Sequence, residues 1–172
     1  MTTVGEDTLV KVSTDAATDF VETYYRALQS NRQGLASFYA PAVTSILFNG
    51  NTVADGAAVQ DIFANQMPDA RYDVQSYDCQ IINSNYIPPG VTPPAPTTAR
   101  QAATAAAKQM TLLVLVSGCV RFGENKDSRD PTADRGFSET FVLIPNQQYE
   151  PGPRGKTRKQ FLIQSQNFRL VV

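Results

Sequence analysis

"MTLLVLVSGCVRF", residues Met110–Phe122, reads as a β-strand that is apolar on both of its faces. Even positions supply Met110, Leu112, Val114, Val116, Val120 and Phe122, while odd positions still supply Leu113, Leu115 and Cys119. Successive side chains of a strand point to opposite faces, so a sheet with one wet face alternates apolar and polar residues. This strand does not alternate. Its second face needs a cover other than water.

The elements around it set the fold class. "STDAATDFVETYYRALQSN" predicts a helix, with Ala16, Phe20, Tyr24 and Leu28 at i, i+4 steps, Ala17 and Val21 widening the stripe, and Ser13 or Thr14 as its cap. A short second helix follows in "NRQGLASFYAP", capped by Asn31, facing inward through Leu35, Phe38 and Tyr39, and stopped by Pro41. "VTSILFNGNTVADG" predicts a hairpin, since Asn49-Gly50 suits a type I′ turn. Asp55 opens a third helix with Val59, Ile62, Phe63 and Met67 at helical spacing before Pro68. Four longer strands complete the chain: Arg71 to Ile82, Gln109 to Phe122, Gly136 to Ile144 and Gln160 to Val171. Helices first and strands afterwards make an α+β fold, with three helices packed on one face of a bent, mostly antiparallel sheet.

Composition narrows the function. The 172 residues suit one domain, 1–172, and a net charge of -1 gives no global pull towards nucleic acid or a lipid surface. No apolar run is long enough to span a bilayer, and "MTTVGEDTLV" is not a signal peptide, so the expectation is a soluble intracellular protein with no membrane partner. The two cysteines, Cys79 and Cys119, suit a reducing compartment, with a disulfide between them neither required nor precluded. Histidine is absent, which removes the commonest general base and metal ligand and rules out Ser–His and Cys–His nucleophile pairs within the chain. No cofactor is expected.

Two connections stand out. Residues 83–109 are rich in Pro, Ala and Thr and predict an extended loop, whose "TTARQAATAAAK" half has high helix propensity when docked. "NQQYEPGPRGKTRKQ" gathers Arg154, Lys156, Arg158 and Lys159, a cationic tip suited to phosphates of RNA but without an aromatic platform for bases. Its plain alternative is a set of charges that keep a long hairpin soluble.

"DFVETYYRAL", "LASFYAP" and "LFNGNTVADGAAVQDIF", followed by "YDCQ", "LVLVSGCVRF", "GFSETFVLI" and "SQNFRLVV", together resemble the nuclear transport factor 2-like family over about Asp19 to Leu170. Within it, "NGN…DG", "DCQ" and "SGCVRF" are most similar to the small, Mtr-type subunits of the heterodimeric mRNA export receptor. The resemblance implies a non-catalytic subunit of nucleus, nuclear pore and cytoplasm. It implies pairing with the nuclear transport factor 2-like domain of a large subunit, binding of phenylalanine-glycine nucleoporins through the pair, and passage of mRNP and pre-ribosomal cargo.

In such a fold the even positions of Met110–Phe122 face the helices, leaving Leu113, Leu115 and Ser117 outward. The same parity turns Phe141 and Leu143 inward and Ser138, Thr140 and Val142 outward. On the last strand Phe168 and Leu170 point in, with Ser165, Asn167 and Arg169 pointing out. That outward set is the expected partner face, because paired leucines and valines make a patch that monomers rarely leave bare. The resemblance gives the "NFRL" arginine, Arg169, a salt bridge to the partner. No acidic residue is evident on the face as assigned, which favours a heterodimer over self-pairing. The rival class is a small-molecule-binding protein or an isomerase- or dehydratase-type enzyme using the cone's cavity, with Asp78 beside Tyr24 and Tyr39 as a carboxylate–phenol set.

Overall fold

The computed structural model of the chain describes residues 5–88, 90, 92, 98, 101–102, 105–106, 108–127, 129–149 and 159–171. Helix α1 spans Glu6–Ser30 and buries Ala16, Ala17, Phe20, Val21, Tyr24 and Leu28 along the anticipated stripe. It starts about two turns before the expected cap. Leu9 and Val12 carry the apolar stripe back onto the core, and Glu6 and Asp7 favour the helix N-terminus. The hydroxyls of Ser13 and Thr14 donate to the Val10 carbonyl instead of capping. The second helix is a 3-10 segment, Arg32–Phe38, and Tyr39 has already left it for extended backbone.

The hairpin pairs β1 (Ser45–Phe48) with β2 (Asn51–Val53). Asn49 and Gly50 have φ of 48° and 85°, the double positive φ of the expected turn. Asn49 Oδ1 also accepts from the Leu170 N–H at 2.8 Å, tying the hairpin to the last strand. Helix α2 (Gly56–Asp61) winds on into a wider π turn, Ile62–Gln66. Asp55 caps it by accepting from the Ala58 N–H at 2.8 Å. Asp55→Ala should therefore cost about 1 kcal/mol of stability in denaturant melts, and Asp55→Asn much less.

Strands β3 (Ala70–Asn83), β4 (Thr111–Phe122), β5 (Arg135–Pro145) and β6 (Phe161–Val171) fall within two residues of their expected bounds. The open sheet has the order β2-β1-β6-β5-β4-β3, antiparallel throughout except where β1 runs parallel to β6. The helices cover one face. Their residues meet the inward residues of β4–β6 in an aromatic core, where Phe20 lies edge-on to Phe141 at 5.0 Å and Phe48 stacks on Phe168 at 4.9 Å. Tyr24, Phe63, Phe137, Phe141 and Phe168 are fully buried and fill the space that the bent sheet encloses.

Strand β3 carries a bulge at Gln75. Before it the even residues face the core, with Ala70 and Tyr72 buried; after it Tyr77, Cys79 and Ile81 pair with the inward Val116, Val114 and Leu112. One inserted residue swaps the faces. Gly118 lies opposite, and a Cβ on it would stand 2.1 Å from the Asp73 carbonyl oxygen.

The 83–109 segment is less peripheral than its composition implies. Gln101, Ala102, Ala105 and Ala106 are helical, and Ala102 and Ala106 are buried, Ala106 within the core cluster. Alanines at i, i+4 dock closely with little rotamer entropy to lose, so a polar-looking segment still packs. Both cysteines are free. Cys79 pairs with the inward Val114, whereas Cys119 lies five residues along β4 on the opposite face, out of reach of a disulfide.

A candidate partner-binding face and the carboxylate beneath it

The strand register gathers the outward residues. Leu113, Val142 and Ser165 lie side by side across β4, β5 and β6; so do Leu115, Thr140 and Asn167, and then Ser117, Ser138 and Arg169. These three rows form one continuous patch. On β3 the rows continue into Gln80, Asp78 and Ser76, and on β1 the first two continue into Ser45 and Leu47. A fourth row adds Asp73, Cys119, Gly136 and Val171. Five strands and four rows span on the order of 600 Å², close to the roughly 800 Å² that one partner contributes to a stable interface.

The patch combines apolar centres with one cation. Leu115 is 43% exposed and Val171 57% exposed. Arg169 is exposed, faces Ser138, and makes no ion pair among the described residues. At the near end of the face Arg121 and Asp134 hold each other in a two-pronged ion pair. The β3 residues Ser76, Asp78 and Gln80 were not legible as part of the face, because the bulge reverses the parity that the sequence displays. With Asp73 and Asp78 on it, the face does contain carboxylates, so the expectation that it lacks an acidic residue is corrected.

The expected carboxylate–phenol set is corrected as well. Asp78 is exposed on the outer face and accepts from the Cys79 N–H at 2.9 Å, while Tyr24 and Tyr39 are buried on the other side of the sheet. The carboxylate they accompany is Glu139. It is 0% exposed and sits between the outward Ser138 and Thr140. Its Oε2 accepts from the Tyr25 hydroxyl at 2.5 Å and its Oε1 from Gln166 Nε2 at 2.5 Å. Gln166 Nε2 also donates to Tyr24 Oη at 2.8 Å, and Gln166 Oε1 accepts from the Tyr39 hydroxyl at 2.5 Å. The signal was a lone Glu on the inward parity of "GFSETFVLI", between Phe137 and Phe141.

Burial pushes Glu139 up from the ordinary carboxylate range to about 7, against the opposing pull of the Tyr25 and Gln166 hydrogen bonds. The same burial, reinforced by the charge of Glu139, raises the hydroxyls of Tyr24 and Tyr25 well above 10. The folded chain thus holds a proton that the unfolded chain releases between about pH 4.5 and 7, and this group's contribution to stability falls as pH rises through that window. The loss is about 3 kcal/mol, complete above the upper limit. Glu139→Gln should recover about 2 kcal/mol of it at alkaline pH, less than the whole because an amide meets two donors. Denaturant melts of both proteins across pH check this. The difference between them should be small in acid and grow towards pH 8 or so.

Of the cationic set, Arg154, Lys156 and Arg158 lie outside the described residues. Lys159 is turned onto the protein: its Nζ sits 4.0 Å above the Phe38 ring and donates to Ser37 Oγ at 2.7 Å. Its aromatic seat explains why it is not the free tip cation that its neighbours in sequence imply. Lys159 also borders a shallow cleft of about 20 Å³ shared with Asp19, Phe20, Thr23 and Phe161, too small for a substrate. Among the described residues no group of His, Cys, Asp and Glu could hold a metal ion, and no helix is long and apolar enough to cross a membrane.

Comparison with known proteins places this geometry. The nuclear transport factor 2 (NTF2) domain matches residues 16–169. NTF2-related export protein 1 of Bos taurus is 26% identical over 143 residues, covering 83% of this chain and 82% of its own. The Chaetomium thermophilum Mex67 NTF2-like domain complexed with Mtr2 contains a similar chain, with TM-score 0.71, 28% identity and coverage of 93% of this chain and 99% of that one. A structure of Mtr2 matches with TM-score 0.67 and 26% identity, at the same coverages of 93% and 99%.

Proposed function

Since the chain belongs to the nuclear transport factor 2 (NTF2) domain family, we propose that it is the small, Mtr2-type subunit of a heterodimeric nuclear export receptor. Its outer sheet face, centred on Leu115 and Arg169, closes on the NTF2-like domain of a large subunit. One observation carries this reading: the outward residues of β4, β5 and β6 fall into one continuous apolar and hydroxyl patch around an arginine that has no ion-pair partner within the described chain. The likeness to an Mtr2 chain solved with the Mex67 NTF2-like domain supports it. Burying each Leu or Val of such a patch contributes roughly 1.5–3 kcal/mol, and the planar guanidinium suits a two-pronged bond to a partner carboxylate.

The chain is a non-enzymatic member of its fold. Its relatives are export proteins, and the space enclosed by the sheet is packed with Tyr24, Phe63, Phe137, Phe141 and Phe168. As part of an export receptor it acts in nucleocytoplasmic transport, at the nuclear pore, with phenylalanine-glycine nucleoporins bound by the pair. RNA or pre-ribosome contact rests on Arg154, Lys156 and Arg158 of the basic segment rather than on Lys159, and should weaken steeply with salt.

Light-scattering mass of the purified chain, alone and mixed with the NTF2-like domain of the large export subunit, tests the reading. The expected result is a one-to-one complex. A stable homodimer that ignores that domain would instead favour self-pairing, for which Asp78 supplies the carboxylate that Arg169 needs across a two-fold axis.

A further inference from the structure

Glu139 and Gln166 are the two polar side chains at the centre of the buried network, and each sits between two residues of the outer face. Glu139 lies between Ser138 and Thr140, and Gln166 between Ser165 and Asn167. As observed, every neighbour of the carboxylate donates to it: the Tyr25 hydroxyl to Oε2 and Gln166 Nε2 to Oε1. That pattern fits the ionised acid, which can only accept.

A second pattern satisfies the same groups. If Glu139 Oε1 takes up a proton supplied by the buffer, turning the Gln166 amide over places its carbonyl oxygen to accept from Glu139 and from the Tyr24 hydroxyl. The reversed Nε2 then donates to Tyr39 Oη, and the Tyr39 hydrogen is free to turn towards Tyr24 Oη, 3.5 Å away. Glu139, Tyr24, Tyr25 and Tyr39 each keep a partner, Gln166 Nε2 gives up one of its two acceptors, and the two states differ by one proton and one amide reversal. Resting on the partner face as read above, we propose that this pair is a proton-coupled switch beneath that face, so that docking of the large subunit's NTF2-like domain draws a proton onto Glu139.

The coupling is dielectric. Water on the outer face is separated from Glu139 by one sheet layer, and a docked partner removes that water, which further disfavours the carboxylate. The groups facing Glu139 do not oppose this. Tyr24 and Tyr25 approach from α1, Tyr39 from beyond the 3-10 segment, Tyr72 from β3 and Gln166 from β6, whereas β4 presents Val114, Val116 and Gly118. Arg32 contributes charge near Tyr72, and on the outer side Arg169 follows Phe168, the β6 partner of Glu139. By reciprocity, affinity for the partner falls as pH rises through the titration of Glu139. The chain has no histidine, so a proton taken up near neutrality has few other places to go within it.

Carbon-13 NMR of the glutamate carboxyls, in the full chain alone and in the complex, reads the switch without any variant. One carboxyl should titrate near neutrality in the free chain and higher in the complex. Calorimetry of the same complex in buffers of different ionisation enthalpy should show uptake of a fraction of a proton, with binding several-fold weaker at about pH 8.5 than at about pH 6. Glu139→Gln should bind with little pH dependence and no uptake. A Glu139 that titrates at the ordinary carboxylate value, or a Glu139→Gln complex with the same uptake as wild type, overturns the switch. A free chain that titrates as expected but binds the domain at no pH overturns the partner reading and the coupling, and leaves the inner network standing.

Discussion

Gly118→Ala should lower the stability of the chain by about 4 kcal/mol, among the largest effects that one methyl group can have. The added Cβ would stand 2.1 Å from the carbonyl oxygen of Asp73 and 3.0 Å from the Phe137 ring. Neither neighbour can yield cheaply. Asp73 is backbone in the β3–β4 ladder beside the Gln75 bulge, and Phe137 is 1% exposed in the aromatic core. The bulge would have to open, and with it the register that turns Tyr77, Cys79 and Ile81 inward and Ser76, Asp78 and Gln80 outward. In a chain of this size the thermal midpoint should fall by roughly 8–16 °C. Gly136→Ala is the control. Its Cβ would meet the Val171 side chain at 3.3 Å, and Val171 is 57% exposed and can shift. A midpoint for Gly118→Ala within a degree or so of wild type would mean that the bulge is not held closed by this glycine.

Leu115→Arg should weaken binding of the large subunit's NTF2-like domain by about 100-fold, the scale of a central interface residue, while leaving the melting curve of the free chain almost unchanged. The side chain is 43% exposed in the free chain, so the substitution costs the fold little; covered by a partner, the same site would force an unpaired guanidinium out of water. Arg169→Glu and Asn167→Glu should act in the same direction, Arg169→Glu by reversing the charge offered to the partner's carboxylate. Val10→Arg on α1, at a position 57% exposed and far from the face, should not alter affinity. Equal loss from Val10→Arg and Leu115→Arg would indicate general damage rather than a face.

Periodicity carried most of the fold because the elements are long and cleanly patterned. The four long strands and the Asn49-Gly50 turn were legible from apolar, β-branched runs and turn chemistry, and the outward set on β4 to β6 from side-chain parity once the resemblance placed the helices on the inner face. What failed had a local cause. The bulge at Gln75 hid the β3 edge of the face, since one inserted residue reverses parity and nothing in "YDVQSYDCQ" announces it. The start of α1 was misplaced because Ser13 and Thr14, good capping residues, spend their hydroxyls on the Val10 carbonyl inside the helix. Glu139 was passed over because a glutamate in a strand reads as outward. Its acceptance into the core depends on Tyr25 and Gln166, which are 114 and 27 residues away and meet it only in the fold. Asp78 was read towards the tyrosines for the same reason: sequence gives the residue types of a site, not the side of the sheet they occupy.

On the proposed function, a different polypeptide covers the sheet face turned away from the helices. Hydroxyl-radical footprinting of the chain, free and mixed with the large subunit's NTF2-like domain, reads that cover residue by residue. Protection should concentrate at Leu113, Leu115, Val142 and Val171, with Val10 on α1 oxidised equally in both samples. Unchanged oxidation of Leu115 and Val171 in a complex of confirmed one-to-one mass would mean that the partner docks elsewhere and that this face stays bare.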